Sequence, residues 1–89
     1  MHAESFDWDE ANLEHIARHH VTMDEAEEVF ASRHLVLRAK DQRYLILGRT
    51  ATGRYLICIV KKGFRSGEIR IITARDMSES ERKWFKRKL

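Results

Sequence analysis

Short apolar runs in the middle of the chain predict three β-strands. They cover Arg43–Arg49, Arg54–Lys61 and Glu68–Arg75 and are rich in Ile, Leu, Val, Tyr and Thr, which pack well on a pleated surface. The two segments between them, 50–53 and 63–67, are short and contain glycine, as hairpin loops commonly do. We therefore predict an antiparallel meander over this stretch.

Two helices are predicted before the meander. Asp7 can cap the first helix, with Glu10 completing a capping box. One face of that helix is apolar and consists of Leu13, Ile16, Ala17 and His20. Thr22 and Glu25 form a second capping box, and the helix that follows has an apolar and an acidic face.

A short strand at 35–37 precedes the meander, and residues 40–42 form the turn into it. Ser78 with Glu81 makes a third capping box, which begins a last helix anchored by Trp84 and Phe85. The predicted fold is α+β, with two N-terminal helices, a four-stranded antiparallel sheet and a C-terminal helix in the order ααββββα.

The central strand is apolar on both faces, with Tyr55, Ile57 and Ile59 alternating with Leu56, Cys58 and Val60. A strand of this kind is buried on both sides. We expect the N-terminal helices on one face and either the third helix or a partner chain on the other.

Length and composition indicate a single domain over residues 1–89. No apolar run approaches the roughly 20 residues of a membrane span, and the N-terminal residues lack the pattern of a signal peptide. Cys58 is the only cysteine, so no internal disulfide is expected. These features favour a cytoplasmic location.

Charge is divided unevenly, although the net charge is only +3. Residues 1–31 contain one basic and nine acidic side chains, a net of −8, whereas residues 32–89 contain sixteen basic and five acidic side chains, a net of +11. A strongly basic half points to a polyanionic partner such as nucleic acid. The alternative is that the two halves attract each other within one domain.

Metal chemistry and covalent catalysis find little support in the sequence. His15 and His19 are four residues apart and would share a helix face, but no third ligand follows in a recognisable pattern. The glycines lie in or beside strands and turns rather than in a phosphate-binding loop. We therefore expect no metal and no cofactor. A helix-end histidine has two interpretations here: it acts in proton transfer, or it has no chemical role.

Basic residues lie at or near most strand ends of the predicted sheet, and they are Arg43, Arg49, Arg54, Lys61, Lys62, Arg70 and Arg75. Together with histidine, such a set can cleave RNA without a metal. The 2′-OH attacks the adjacent phosphate, cations stabilise the developing charge, and a proton donor assists the leaving 5′-oxygen. Charges that prevent edge-to-edge aggregation are the alternative explanation.

An ordered series of short motifs covers nearly the whole chain and resembles the BrnT toxins. The motifs are F-D-W-D at 6–9, R-H at 18–19, E-A at 25–26, V-F at 29–30, Q-R at 42–43, L-G at 47–48, G-R at 53–54, I-R-I-I-T-A-R at 69–75 and E-R at 81–82.

The resemblance implies a RelE-like fold and a toxin of a type II toxin–antitoxin system. It further implies a metal-independent endoribonuclease, neutralised by a BrnA-like antitoxin with a ribbon-helix-helix part that alone contacts operator DNA. Matching motif positions imply catalytic roles for His19, Arg54, Arg70 and Arg75. Their places in the predicted sheet add three RNA-binding residues, Arg49, Lys61 and Lys62.

The sequence departs from the family pattern at a glycine and at several tyrosines. His20 replaces the glycine after the helix-end histidine. A stretch that contains tyrosine and arginine in the family reads V-K-K-G at 60–63, and Phe85 replaces a tyrosine of the last helix. Because tyrosines can donate protons, a non-catalytic RNA- or partner-binding module of the same fold is an alternative function. A protein whose apolar sheet only receives a partner is a third alternative.

Overall fold

The computed structural model describes all 89 residues, which form three helices and one five-stranded sheet. In chain order the elements are β1 (Ser5–Asp7), α1 (Glu10–Ala17), α2 (Met23–Ala31), β2 (Leu35–Arg38), β3 (Tyr44–Arg49), β4 (Tyr55–Lys62), β5 (Glu68–Asp76) and α3 (Glu79–Lys88). The strands follow one another across the sheet in the order β1-β5-β4-β3-β2. None of the three helices has the length and apolar character needed to cross a membrane.

The antiparallel meander is confirmed, since β2, β3, β4 and β5 pair in succession as antiparallel neighbours. Its turn at 40–42 is tight, and Asp41 and Gln42 adopt positive φ angles of 59° and 61°. A bulge between Ile59 and Val60 shifts the register between β4 and β5.

The prediction of a four-stranded, purely antiparallel sheet in the order ααββββα is wrong at its N-terminal end. Residues Ser5–Asp7 form a fifth strand, which pairs in parallel with β5 through Phe6 and Ile69, so the sheet is mixed. Three residues are too few to show a strand period in the sequence. Their pairing partner lies more than sixty residues further along the chain, so no local pattern indicates it.

The predicted helix caps are confirmed at α2 and α3 and wrong at α1. Thr22 with Glu25, and Ser78 with Glu81, form complete capping boxes. At α1 the cap is Asp9, which accepts a hydrogen bond of 2.7 Å from the backbone N–H of Asn12. Asp7 is drawn into β1 instead. The helix also ends earlier than predicted, at Ala17.

His20 lies outside the first helix, in the tight connection to α2, and its φ angle is +58°. Left-handed backbone is unfavourable for a residue with a Cβ atom. The connection therefore contains a strained residue at the position where the family pattern has glycine.

Strand alternation divides the core between the two faces of the sheet. Leu56, Cys58 and Val60 are fully buried in a cluster with residues of α1 and α2. On the opposite face, Ile57 packs in a smaller cluster with Phe85 of α3. The third helix therefore covers part of this second face. Either this helix or a partner chain was expected there from the sequence.

Candidate functional site

Arg54 joins the α1–α2 connection to the last strand through all five of its N–H donors. Nε and Nη2 donate to the two carboxylate oxygens of Asp76 at 2.9 and 3.1 Å. Nη1 donates to the carbonyl of His20 and to the Glu25 carboxylate, and Nη2 also donates to the carbonyl of His19 at 3.2 Å. A guanidinium has five donors, so none remains for a ligand in this arrangement.

The carboxylates around Arg54 are held in their charged form. Hydrogen bonds from Arg54 lower the pKa of Asp76, and the nearby charges of His20 and Arg82 act in the same direction. The pKa of Glu25 is lowered first by the backbone N–H of Thr22 in the capping box and then by Arg54. Opposite charges and hydrogen bonds to a carboxylate both favour ionisation.

Arg75 lies beside this network and binds the first turn of α3. Its Nη1 and Nη2 donate to the two oxygens of Glu81 at 2.8 and 3.0 Å, and Nη1 also donates to the backbone carbonyl of Asp76. Hydrogen bonds from Arg75, followed by the backbone N–H of Ser78, lower the pKa of Glu81 to about 2. The pair therefore fixes the start of α3 against β5.

Arg70 lies apart from the other predicted catalytic residues. Its guanidinium donates to Asp7 at 2.9 Å and to the Asp9 carboxylate, so it joins β5 to β1 and to the cap of α1. Arg75 is five positions further along β5, which is about 17 Å of extended chain. The structure therefore does not bring Arg70 together with Arg54 and Arg75.

His19 lies just after α1 with an exposed side chain. Its ring is tilted against that of His15, with the ring centroids 6.0 Å apart. Its backbone carbonyl accepts from Arg54, which places His19 at the same end of the sheet as Arg54 and Arg75. The catalytic roles of His19, Arg54, Arg70 and Arg75 stay predictions.

Three cationic side chains converge on the ring of Tyr55 at the start of β4. The distances to the ring centroid are 4.9 Å for Arg49 Cζ, 5.1 Å for Arg82 Cζ and 5.3 Å for Lys86 Nζ. None of these three cations is paired with a carboxylate, since the salt bridges of the fold are formed by other cations. We call Tyr55, Arg49, Arg82 and Lys86 the Tyr55 cluster.

The Tyr55 cluster borders an open cavity of about 590 Å³. Arg33, Arg49 and Lys86 line it together with the hydroxyl-bearing residues of the β3–β4 turn, Thr50 and Thr52. No Asp or Glu side chain contributes to the lining. Unpaired cations with hydrogen-bonding neighbours in a concave surface are suited to an anion such as a phosphodiester.

The sequence singled out Arg49 but missed the rest of the Tyr55 cluster. Arg82 and Lys86 are four residues apart, so they share one face of α3. Phe85 meets the Tyr55 ring edge to face at 6.0 Å and brings that helix over the strand. The spacing was visible in the sequence, but the helix packing that places these charges on Tyr55 was not.

Lys61 and Lys62, the other predicted RNA-binding residues, lie at the opposite end of β4 from Tyr55. Both are exposed, and neither takes part in a salt bridge. The predicted RNA-binding residues are therefore split between opposite ends of the sheet, because Arg49 pairs with Tyr55 at the start of β4.

Metal and thiol chemistry have no evident site in the fold. No group of three or more His, Cys, Asp or Glu side chains is placed to hold a metal ion. Cys58 is completely buried, and burial raises the pKa of its thiol to about 12. A thiol of that kind stays protonated and is a poor nucleophile.

Known proteins resemble the chain in both sequence and fold. A family model described as the ribonuclease toxin BrnT of type II toxin–antitoxin systems matches residues 8–81. The crystal structure of the Brucella abortus ribonuclease toxin BrnT matches with a TM-score of 0.69 and 26% sequence identity, over 84% of this chain and 97% of that one. No curated protein sequence matches. Since the family model spans most of the sequence, the chain belongs to the BrnT family of ribonuclease toxins.

Proposed function

We propose that this toxin is a metal-independent endoribonuclease that cleaves RNA through attack of the 2′-OH on the adjacent phosphate. The observation that carries the proposal is the Tyr55 cluster, in which three unpaired cations surround one tyrosine beside an open cavity. Family membership supports ribonuclease activity in general. The arrangement of charges supports this particular chemistry.

The Tyr55 cluster supplies fixed positive charge, which the reaction lacks in water. When the 2′-oxygen bonds to phosphorus, negative charge grows on the non-bridging oxygens, and fixed cations that face this charge lower the barrier. The 2′-OH loses a proton, the bond from phosphorus to the 5′-oxygen breaks, and that oxygen takes up a proton. The products are a 2′,3′-cyclic phosphate and a 5′-hydroxyl. Tyr55 and His19 are among the side chains at this end of the sheet that can transfer those protons.

The paired arginines take a different part in this proposal. Arg54 and Arg75 hold Asp76 and Glu81 in place, and these contacts position β5 and α3 around the cavity. Their geometry favours a positioning role over direct contact with the phosphate, and Arg70 stabilises the far edge of the sheet.

A cleavage assay with defined RNA oligonucleotides tests the proposal. We expect cleavage that persists in EDTA and leaves a 2′,3′-cyclic phosphate, whereas a single 2′-deoxy sugar at the scissile position blocks it. Arg49→Ala and Lys86→Ala should each slow cleavage about 10²-fold, as loss of a transition-state donor typically does. Equal cleavage of the 2′-deoxy substrate, or loss of activity in EDTA, would overturn the mechanism.

A non-catalytic RNA- or partner-binding module is the second candidate function. It is favoured by the engagement of Arg54, Arg70 and Arg75 in ion pairs, which leaves fewer free cations for catalysis. The same assay separates the two candidates. A folded protein that binds the oligonucleotide but leaves it uncut over long incubation would be the binding module.

We further propose that a BrnA-like antitoxin with a ribbon-helix-helix part covers the sheet face beside α3, and that operator DNA is contacted only through this antitoxin. An apolar groove of about 270 Å³ lies there between the sheet and Trp84, lined by Leu37, Leu45, Leu47 and Ile57. It opens beside the edge strand β2, where Val36 and Leu37 are exposed. Exposed apolar edge strands commonly receive another chain.

The charge of the residues around this groove indicates which kind of partner segment fits it. Arg38 ends β2, and Arg33, Lys40 and Arg43 flank the strand along the chain. Asp41 is the one acidic residue in this stretch. A second copy of this chain at the same edge would bring like charges together. An antitoxin segment with apolar and acidic residues is therefore the better match.

Co-purification of the antitoxin with a Leu37→Asp variant tests the surface. We expect the variant to lose the antitoxin while retaining RNA cleavage, because Leu37 does not line the cavity beside Tyr55. A variant at the exposed residue Met23, Met23→Asp on α2, serves as the control and should still bind. Undiminished antitoxin binding by Leu37→Asp would show that the partner docks elsewhere.

A further inference from the structure

Phe64, at the tip of the β4–β5 hairpin, is the most exposed large apolar side chain of the protein. Its side chain is fully in solvent, whereas the next most exposed, Met23, is 41% exposed. The other phenylalanines are packed: Phe6 and Phe30 meet edge to face at 5.2 Å, and Phe85 is buried. Unlike the packed rings, the Phe64 ring has both faces free to receive a ligand.

The backbone around Phe64 is held in place by hydrogen bonds. The Phe64 N–H donates to the Glu68 carboxylate at 3.1 Å, and the Gly63 N–H donates to the Glu68 carbonyl at 2.7 Å. At the far side of the tip, the Glu4 N–H donates to the Gly67 carbonyl at 2.8 Å. The hairpin thus presents the ring from an ordered turn.

Cationic residues flank Phe64 along the chain. Lys61 and Lys62 precede it on β4 and Arg65 follows it, and none of the three is in a salt bridge. The carboxylate of Glu68 is turned towards the hairpin's own backbone, where it accepts from Phe64. A cavity of about 630 Å³ connects Phe64 with Lys61 and Lys62, and its far side is lined by the paired Arg70 and Asp7.

An exposed aromatic ring between unpaired cations matches single-stranded nucleic acid. Bases stack on aromatic rings while the flanking phosphates are met by lysine and arginine. A protein partner is a poorer match, since lysine is depleted in protein interfaces. Duplex RNA is poorly matched too, because its bases are already stacked.

We propose that Phe64 is a stacking platform for one base of single-stranded RNA, with Lys61, Lys62 and Arg65 contacting the adjacent phosphates. The inference rests on the proposed ribonuclease function and deepens it by giving the substrate a second contact away from the scissile phosphate. Nine residues separate Phe64 from Tyr55, which is about 30 Å of extended chain. Phe64 therefore binds RNA and takes no part in the bond-breaking step.

Binding of a fluorescent single-stranded 2′-O-methyl RNA, which cannot be cut, tests the inference. Phe64→Ala should weaken binding about 5- to 100-fold, the range expected for loss of one base–aromatic stack. Phe64→Trp should restore affinity, whereas Phe64→Leu should not, because it keeps apolar surface without a ring. Met23→Ala, at an exposed apolar residue on the acidic helix α2, is the matched control and should bind normally. Thermal melting verifies that each variant is folded.

An abasic scan of the RNA sharpens the test. One abasic position should weaken binding to the unmodified protein and leave binding to Phe64→Ala unchanged, because the stack is already absent. In cleavage, Phe64→Ala should raise KM and leave kcat within about twofold, since the lost contact is equal in the ground and transition states.

The outcomes separate this inference from the function on which it rests. If the unmodified protein binds and cuts RNA but Phe64→Ala binds it equally well, the stacking inference is wrong and the ribonuclease proposal stands. If Phe64→Ala loses the antitoxin and keeps RNA, Phe64 is a protein anchor and the inference is again wrong. If the unmodified protein neither binds nor cuts RNA, both proposals fail.

Discussion

The guanidinium of Arg54 and the carboxylate of Asp76 face each other fork to fork, with hydrogen bonds of 2.9 and 3.1 Å. Arg54 immediately precedes β4 and Asp76 is the last residue of β5, so the ion pair lies at one end of the sheet. Because Arg54 also binds the carbonyls of His19 and His20, this single side chain fixes the helix connection to the sheet.

Replacement of Arg54 should therefore destabilise the fold. We expect Arg54→Ala to lower the free energy of unfolding by about 1–2 kcal/mol, because its loss leaves the partly buried Glu25 carboxylate without this donor, whereas the more exposed Asp76 carboxylate can turn to water. Arg54→Lys should recover little, since an ammonium cannot reproduce the planar fork. Urea unfolding measures both effects.

The control for Arg54 is Arg18→Ala. Arg18 pairs with Glu14 at 3.5 Å, but both side chains are 71% exposed, so we expect a change of less than about 0.5 kcal/mol. Full stability of Arg54→Ala combined with lost cleavage would contradict the positioning role and support a direct catalytic one.

Stability should fall at acidic pH as the paired carboxylates take up protons. Glu81, Asp76, Glu25 and Asp9 all have pKa values lowered by folding. A lowered pKa means that the stabilisation is complete above the unfolded pKa and is lost as pH falls through the folded one. For Glu81 this window extends from its ordinary value of 4.5 down to about 2.

Glu81→Gln tests this assignment. The variant should be less stable than the unmodified protein at pH 7 by about 1–2 kcal/mol, after allowance for solvent screening, and the two should converge near pH 2. Urea unfolding across this pH range supplies the comparison. A constant difference at every pH would show that the Arg75–Glu81 ion pair is not the source.

The salt dependence of RNA binding should identify which cations contact phosphates. Each contact with single-stranded RNA contributes about 0.7 to the slope of log K against log salt. Lys86→Ala should reduce the magnitude of the slope by about that amount. Lys83→Ala, at a residue on the same helix that pairs with Glu79 at 3.4 Å, removes the same formal charge and should leave the slope nearly unchanged. Equal slopes for both variants would argue against the Tyr55 cluster as the phosphate site.

His20→Gly should stabilise the protein. The φ angle of +58° costs a residue with a Cβ atom about 1 kcal/mol or more, and glycine avoids most of that cost. The greater entropy of glycine in the unfolded chain offsets part of this gain. We therefore expect a net increase of about 0.5 kcal/mol in the free energy of unfolding. His20→Ala removes the imidazole but keeps the strain, so it should show no gain. A gain in both variants would assign the effect to the ring instead.

Local sequence signals predicted the parts of the fold that depend on near neighbours. The capping boxes of Thr22 and Ser78 require only residues three positions away, and both are present. The choice between Asp7 and Asp9 as the first cap failed because Asp7 pairs with Arg70, which is 63 residues away. Local patterns contain no information about such a contact.

The functional residues, too, were predictable only where they depend on local sequence. The basic strand ends were visible in the sequence, but whether each arginine meets a carboxylate or stays free depends on the packing of distant elements. Arg54 is fully occupied by Asp76 and Glu25, whereas Arg49 has only an aromatic neighbour. Family membership was recognisable because the motifs are spread along the whole chain.

The parallel pairing of β1 with β5 also decides when the sheet can be completed during synthesis. Residues 5–7 are made before residues 68–76 and can pair only once these have followed, and closing so long a loop is slower than forming local helices. Arg82 and Lys86 follow later still. An incomplete nascent chain therefore has no Tyr55 cluster, so interrupted translation yields fragments without the proposed phosphate site.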